Sequence, residues 1–229
     1  MDLNRRSFVG TGIAALGALG VTLPTAKAQL IYQHSDWKFT DFNKLLKNPA
    51  RAKQVYDVHP IGGGRFLNSI KNSLNGLQFG YGIPATEIKI VAAMHGPSNM
   101  LNFDDSMWEK YRVGEWLKVN DPKTGKPAVR NPYLRKNNDG STSLDDRNST
   151  LQDISIEALQ GRGVQFLSCH NASEEQASAL VRQYSLKTSP EEIVRDLQAH
   201  ILPGVLIVPA MVAAIAILQS DGRFTYITV

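Results

Sequence analysis

Two short stretches of this 229-residue chain place reactive side-chain types at the ends of apolar runs. Val91-Ala92-Ala93-Met94 leads into His95, and Val164-Gln165-Phe166-Leu167-Ser168 leads into Cys169-His170-Asn171. The thiolate is the reactive form of cysteine, and it is favoured by a neighbouring imidazolium and by backbone N–H groups at a helix start. A cysteine so placed can attack a substrate or carry an extra sulfur atom. Cys169, His170, His95 and Asn171 are therefore the candidate site. Each also has a plainer reading. A free cysteine at a strand end is commonly a small buried residue, and a single histidine there is commonly an ordinary polar one. One cysteine and two histidines without a ligand spacing do not make a metal site. No cofactor is implied.

For these residues to meet, the two apolar runs must be strands whose C-terminal ends lie side by side. Hydrophobic periodicity supports that. Ala52–His59 reads as a strand around Val55, Tyr56 and Val58, with Pro60 and Gly62-Gly63-Gly64 as a tight turn. Phe66, Ile70, Leu74 and Leu77 mark a helix face that Gly80, Gly82 and Pro84 end. Glu87–Met94 is a strand buried on both sides, and a helix is expected around Asp104–Tyr111. Trp108, Tyr111 and Trp116 share a helical face suited to a core or subunit contact. Helical spacing resumes over Leu151–Gln160, strand Val164–Cys169 follows, and helices are expected over Ser173–Tyr184 and Ser189–His200. The second opens with a cap serine, a proline and two carboxylates. Strand Val205–Val208, helix Ala210–Gln219 and strand Phe224–Val229 complete the pattern. Strands that alternate with helices and are apolar throughout predict an α/β fold, a flavodoxin-like three-layer sandwich with a mainly parallel sheet of about five strands. In such sheets ligands bind beyond the C-terminal strand ends.

Other stretches bound the role of the chain. Arg5-Arg6 before the apolar Gly10–Leu23 run, with Ala26-Lys27-Ala28 behind it, predicts a twin-arginine export signal over residues 1–28. Its apolar core of about 15 residues is short of the roughly 20 that span a bilayer. Cleavage would leave a mature chain from Gln29, in the periplasm, after folding in the cytoplasm. The net charge of +4 then falls to +2, because Arg5, Arg6, Lys27 and Asp2 leave together. With no dense basic tract, nucleic acid is not an expected partner. Ile201–Leu218 is uncharged, but Pro203-Gly204 and Pro209 break it into core elements rather than a membrane span. The single cysteine rules out internal disulfides and CxxC redox pairs. Gln29–Pro49 reads as an arm with Trp37 and Phe39 available to dock. The polar Asn120–Thr150 stretch reads as an insertion in a single 29–229 domain, solvated or serving as a lid over the Cys169 edge. Its Asn148-Ser149-Thr150 sequon carries little weight.

The stretch Gly161-Arg162-Gly163-Val164-Gln165-Phe166-Leu167-Ser168-Cys169-His170-Asn171 resembles the third strand of DsrE/DsrF-like proteins, whose cysteine closes that strand. The tail Ile201-Leu202-Pro203-Gly204-Val205-Leu206-Ile207-Val208-Pro209-Ala210-Met211-Val212-Ala213-Ala214, followed by Leu218-Gln219-Ser220-Asp221-Gly222, is similar to the closing strand and helix of that family. The resemblance covers residues 52–111 and 151–229. It implies the flavodoxin-like sandwich, assembly into homotrimers or homohexamers, and sulfane sulfur held as a persulfide on Cys169. The partner would be a small sulfur-containing ligand or a sulfur-donor protein. The export signal and the 120–150 insertion depart from the cytoplasmic sulfur carriers of the family. A non-catalytic binding or assembly subunit with a structural Cys169 stays open as an alternative, as does a hydrolase or reductase acting through Cys169.

Overall fold

Alternating apolar runs and amphipathic stretches fold as a single parallel sheet between two helical layers. The computed structural model describes residues 32–138 and 140–229; the expected signal segment, residues 1–28, lies outside them. In chain order the elements are α1 (Thr40–Leu46), β1 (Ala52–Val58), α2 (Arg65–Asn75), β2 (Ile88–Met94), α3 (Asp105–Lys110), α4 (Val113–Trp116), α5 (Ile156–Gly161), β3 (Gln165–Cys169), α6 (His170–Tyr184), α7 (Pro190–Ala199), β4 (Leu206–Val208), α8 (Met211–Ser220) and β5 (Thr225–Thr228). A π-helical turn, Gly76–Gly80, prolongs α2, and a 3-10 stretch, Gly96–Asn102, follows β2. No helix among the described residues is long and apolar enough to cross a membrane.

The five strands lie in the order β4-β3-β2-β1-β5, all parallel. Three successive crossovers step from β1 to β4 in one direction. The last returns across the sheet to place β5 outside β1. Right-handed crossovers put helices for the two directions of travel on opposite faces. Accordingly α8, which joins β4 to β5, lies with α1 on one face, and α2, α3, α5, α6 and α7 cover the other. Strand residues alternate between these layers. Tyr56, Val58, Ile90, Ala92, Met94 and Phe166 point into the larger one, whereas Val55, Val91, Ala93, Leu167 and Cys169 point toward α1 and α8. This two-sided burial explains why Ile90–Met94 reads as an unbroken apolar run.

Local signals set the helix limits. Asp104 caps α3 by accepting from the Ser106 and Met107 N–H groups. Ser189 and Glu192 form the reciprocal capping box that the sequence implies for α7. Two starts differ: α5 begins at Ile156 behind the cap Ser155, not at Leu151, and α6 begins at His170, three residues before the expected Ser173. Cys169 supplies the cap there, its sulfur accepting from the Ala172 N–H. His170 and Asn171 thus belong to a first helical turn rather than to a strand-end loop.

Most of the 120–150 insertion is exposed, but a few residues anchor it to the body. Ala128, Asn131 and Leu134 are buried, and Asn131 Nδ2 donates to the Leu101 carbonyl at 2.9 Å. A Cβ on Gly114 would run into the backbone of Ala128, and one on Gly64 into the Tyr133 ring. Both glycines therefore permit close approach of the insertion. Ala128 and Leu134 join the core on the α2 side of the sheet, whereas Cys169 faces α8. The segment packs as a buttress on the face that Cys169 does not use, which corrects the lid expectation.

Candidate functional site

Cys169 closes β3 with its side chain in the layer shared by α1 and α8. Its residue is 5% exposed. Two backbone N–H groups point at Sγ, those of Ala172 in the first turn of α6 and Met211 at the start of α8, each at 3.4 Å. Both come from helix starts, where N–H groups lack partners within the helix. Their partial positive charge complements negative charge on the sulfur. The two helices start there because β3 and β4 end at the same edge, Cys169 pairing with Val208.

Beneath this edge lies a buried polar network. Asn99 is fully buried; its Oδ1 accepts from the Cys169 N–H and from Ser168 Oγ, both at 2.9 Å. Its Nδ2 donates to Ser173 Oγ at 3.1 Å and to Gln176 Oε1 at 3.0 Å. Asn102 Nδ2 adds a bond to the Leu167 carbonyl at 3.1 Å. One side chain from the 3-10 stretch thereby fixes the end of β3 and the first turns of α6.

His170 adjoins Cys169 in sequence, but its ring is engaged elsewhere. Gln198 Nε2 donates to His170 Nδ1 at 3.0 Å, an assignment that puts the ring proton on Nε2. Nε2 is buried without a hydrogen bond, as is Glu174 Oε2, and Glu174 Oε1 lies 3.5 Å from Nε2. Tyr32 and Trp37 of the arm close over the imidazole edge-on, with centroids at 4.7 and 5.2 Å. The arm docks as its aromatic content implies. Its Tyr32 hydroxyl donates to Glu174 Oε1 at 3.2 Å.

Burial pushes His170 below the usual imidazole range, and the Glu174 carboxylate offsets only part of that push. The fold therefore selects the neutral ring. Its contribution to stability is complete above the unfolded value of about 6.5 and is lost as pH falls through the lower folded value. Urea melts between pH 7.5 and pH 5 are expected to show wild type losing more stability than His170→Gln, the difference opening only below about pH 6.5. A constant difference across that range would contradict this account.

His95 follows β2 and turns toward β1. Its Nε2 donates to Asp57 Oδ1 at 2.7 Å, and the second oxygen of Asp57 accepts from the Tyr226 hydroxyl of β5 at 2.6 Å. His59 packs edge-on against the His95 ring at 5.1 Å. Asn171 is partly exposed, and its N–H donates to the Pro209 carbonyl at 3.2 Å. The structure thus brings His95, Cys169, His170 and Asn171 to one sheet edge. It gives His170 and Asn171 their own partners, away from the sulfur.

Asp57, Tyr226 and Asn99 are the participants that local sequence patterns do not reveal. A carboxylate interrupting the apolar Val55-Tyr56-Asp57-Val58 run is the one available signal. Among the described residues no group of three or more histidine, cysteine, aspartate or glutamate side chains is arranged to hold a metal ion. No protein-family model, no curated protein and no solved structure matches this chain.

Proposed function

We propose that Cys169 binds or carries a small sulfur species, as a persulfide, in a homo-oligomeric protein exported folded to the periplasm. The observation that carries this reading is the convergence of the α6 and α8 N–H groups on Sγ. That environment suits a sulfur bearing negative charge, and a persulfide is such a group when ionised. The DsrE/DsrF-like resemblance of residues 161–171 and 201–222 and the twin-arginine motif support the same reading. The burial of Cys169 favours a small donor over a bulky one. A sulfur-donor protein would have to present its sulfur on a narrow projection.

The test is the intact mass of the protein after exposure to polysulfide or thiosulfate, with and without a thiol reductant, alongside Cys169→Ser. The expected result is a reductant-reversible gain of one sulfur atom that the variant lacks. Reversibility separates this from sulfinic acid, which adds nearly the same mass but resists thiols.

A second reading, an assembly subunit with a structural Cys169, is favoured by α8. This uncharged helix exposes Val212 and Ile217. It also lines an apolar hollow with Phe39, Phe42 and Pro209. Exposed apolar surface of this kind marks interaction sites. No adduct, with a thiol that alkylates only after denaturation, would sink the carrier reading in favour of this one.

A further inference from the structure

β3 and β4 are neighbours from which the chain leaves toward opposite faces of the sheet. From Cys169 it enters α6, on the face of α7, and from Val208 it enters α8, on the other face. Strand ends that diverge in this way open the crevice in which parallel α/β sheets bind their ligands. Cys169 lies in that crevice, with one N–H from each helix start on its sulfur. Yet the residue is only 5% exposed, so the crevice is covered. The arm, residues 32–46, supplies the cover.

The arm passes from one face of the sheet to the other at this point. At its start, Tyr32 and Trp37 close edge-on over the His170 ring, and that ring is bonded to Gln198 of α7. A few residues further on, Phe42 and Leu45 of α1 are buried on the opposite face, in the same cluster as Cys169. Phe39 and Phe42 also line an apolar hollow with Val208, Pro209 and the first turns of α8. The chain between Trp37 and Phe42 therefore crosses the sheet edge at the ends of β3 and β4. His170 follows Cys169 directly, and Val208 pairs with it across the strands. Both seats of the arm thus adjoin the residue that bears the sulfur.

Few directional bonds hold the arm down. Among the described residues, one hydrogen bond joins residues 32–47 to the rest of the chain, from the Tyr32 hydroxyl to Glu174 Oε1 at 3.2 Å. The other hydrogen bonds of this segment, along the main chain and between Lys44 and Asp41, stay within it. Docking also shuts His170 Nε2 and Glu174 Oε2 away without hydrogen-bond partners, a penalty that lifting relieves by hydrating both. Burial of Phe42 and Leu45 opposes it. A segment held by apolar contact over unpaired polar atoms belongs to the parts of a fold that open locally, short of global unfolding. We infer that residues 32–46 are a strap that closes the β3–β4 crevice over Cys169 and lifts as a unit to admit a reactant. That the reactant is a sulfur donor rests on the carrier reading; the gate itself does not.

The test follows alkylation of Cys169 by iodoacetamide, at fixed pH and in urea below the unfolding transition, for the full chain and its Trp37→Ala and Tyr32→Phe variants. Wild type is expected to react slowly, at a rate set by lifting of the strap. That rate should rise with urea far less steeply than global unfolding does, because lifting exposes little surface. Trp37→Ala should react about 10-fold faster, having lost a large ring contact at the His170 seat. Tyr32→Phe should react about 3-fold faster, for the loss of one hydrogen bond. Amide exchange should quicken over residues 40–46 in both variants and stay unchanged in β2. Wild-type rates in both variants, or a urea slope equal to that of global unfolding, would overturn the strap. Polysulfide treatment of the same three proteins separates it from the carrier reading. Strap-sensitive alkylation with no gain of sulfur overturns the carrier reading alone, and sulfur gained equally fast by all three overturns the strap alone. Should Trp37→Ala fail to fold, Tyr32→Phe, which removes one hydroxyl from an exposed residue, carries the comparison.

Discussion

Asn99→Ala is expected to cost about 3–5 kcal/mol of folding stability, because it leaves several fully buried groups without partners at once. The Cys169 N–H and Ser168 Oγ lose their shared acceptor, and Ser173 and Gln176 lose their donor. Each orphaned buried group alone is worth about 1–3 kcal/mol. The loss is local as well as global, since this side chain ties the end of β3 to α6. Amide exchange at Cys169 should accelerate more than exchange in β1. Urea unfolding with an unchanged denaturant slope would give the global figure. A cost below about 1 kcal/mol would mean that water replaces the amide without loss, and the network could not be what fixes the cysteine.

Trp108→Ala should be comparably severe, at about 3–5 kcal/mol for a large side chain removed from a closed core. Trp108 is completely buried in the larger helical layer, and its indole N–H donates to the Met100 carbonyl at 3.0 Å. Trp108→Phe separates the contributions. It keeps much of the apolar volume and leaves the Met100 carbonyl unpaired, for an expected cost of about 1–3 kcal/mol. Equal losses in the two variants would assign the effect to the hydrogen bond, and a negligible loss in Trp108→Phe would assign it to packing. The tryptophan sits one turn beyond the 3-10 stretch that carries Asn99 and Asn102. A cavity there is expected to loosen the support of the site without touching Cys169.

Most of the architecture is legible where one physical cause acts over neighbouring residues. Burial on both faces makes β2 and β3 mostly apolar, so their limits fall within a residue of those read from sequence. The capping box of α7 is equally local. The start of α6 is misplaced because Cys169 itself acts as the cap, and cysteine is not among the residue types that signal one. The anchoring of 120–150 is hidden for a related reason. Its buried anchors are an asparagine, an alanine and a single leucine, and Gly114 and Gly64 leave space for Ala128 and the Tyr133 ring.

Cys169, His170 and Asn171 are visible because they end an apolar run. Their relationships are not. Asp57 reaches His95 across 38 positions, Tyr226 reaches Asp57 across 169, and Asn99 reaches Cys169 across 70. Only the strand order makes these encounters, and periodicity carries no information about order. In sequence His170 is the nearest imidazole to the thiol. Arm aromatics and Glu174 claim it instead.

The position of β5 also bears on how the molecule is made. Pairing Gln54 with Thr225 joins the first strand of the sheet in chain order to the fifth. Until residues 225–228 leave the ribosome, the outer edge of β1 presents unpaired N–H and C=O groups to any other strand nearby. Closing such a distant pair is entropically slow and extends that interval. Partly made chains should therefore be those most prone to associate wrongly, and to need chaperone cover. Tyr226 arrives with the same strand, so the hydrogen bond that completes the Asp57–His95 pair forms only as this vulnerable edge is sealed.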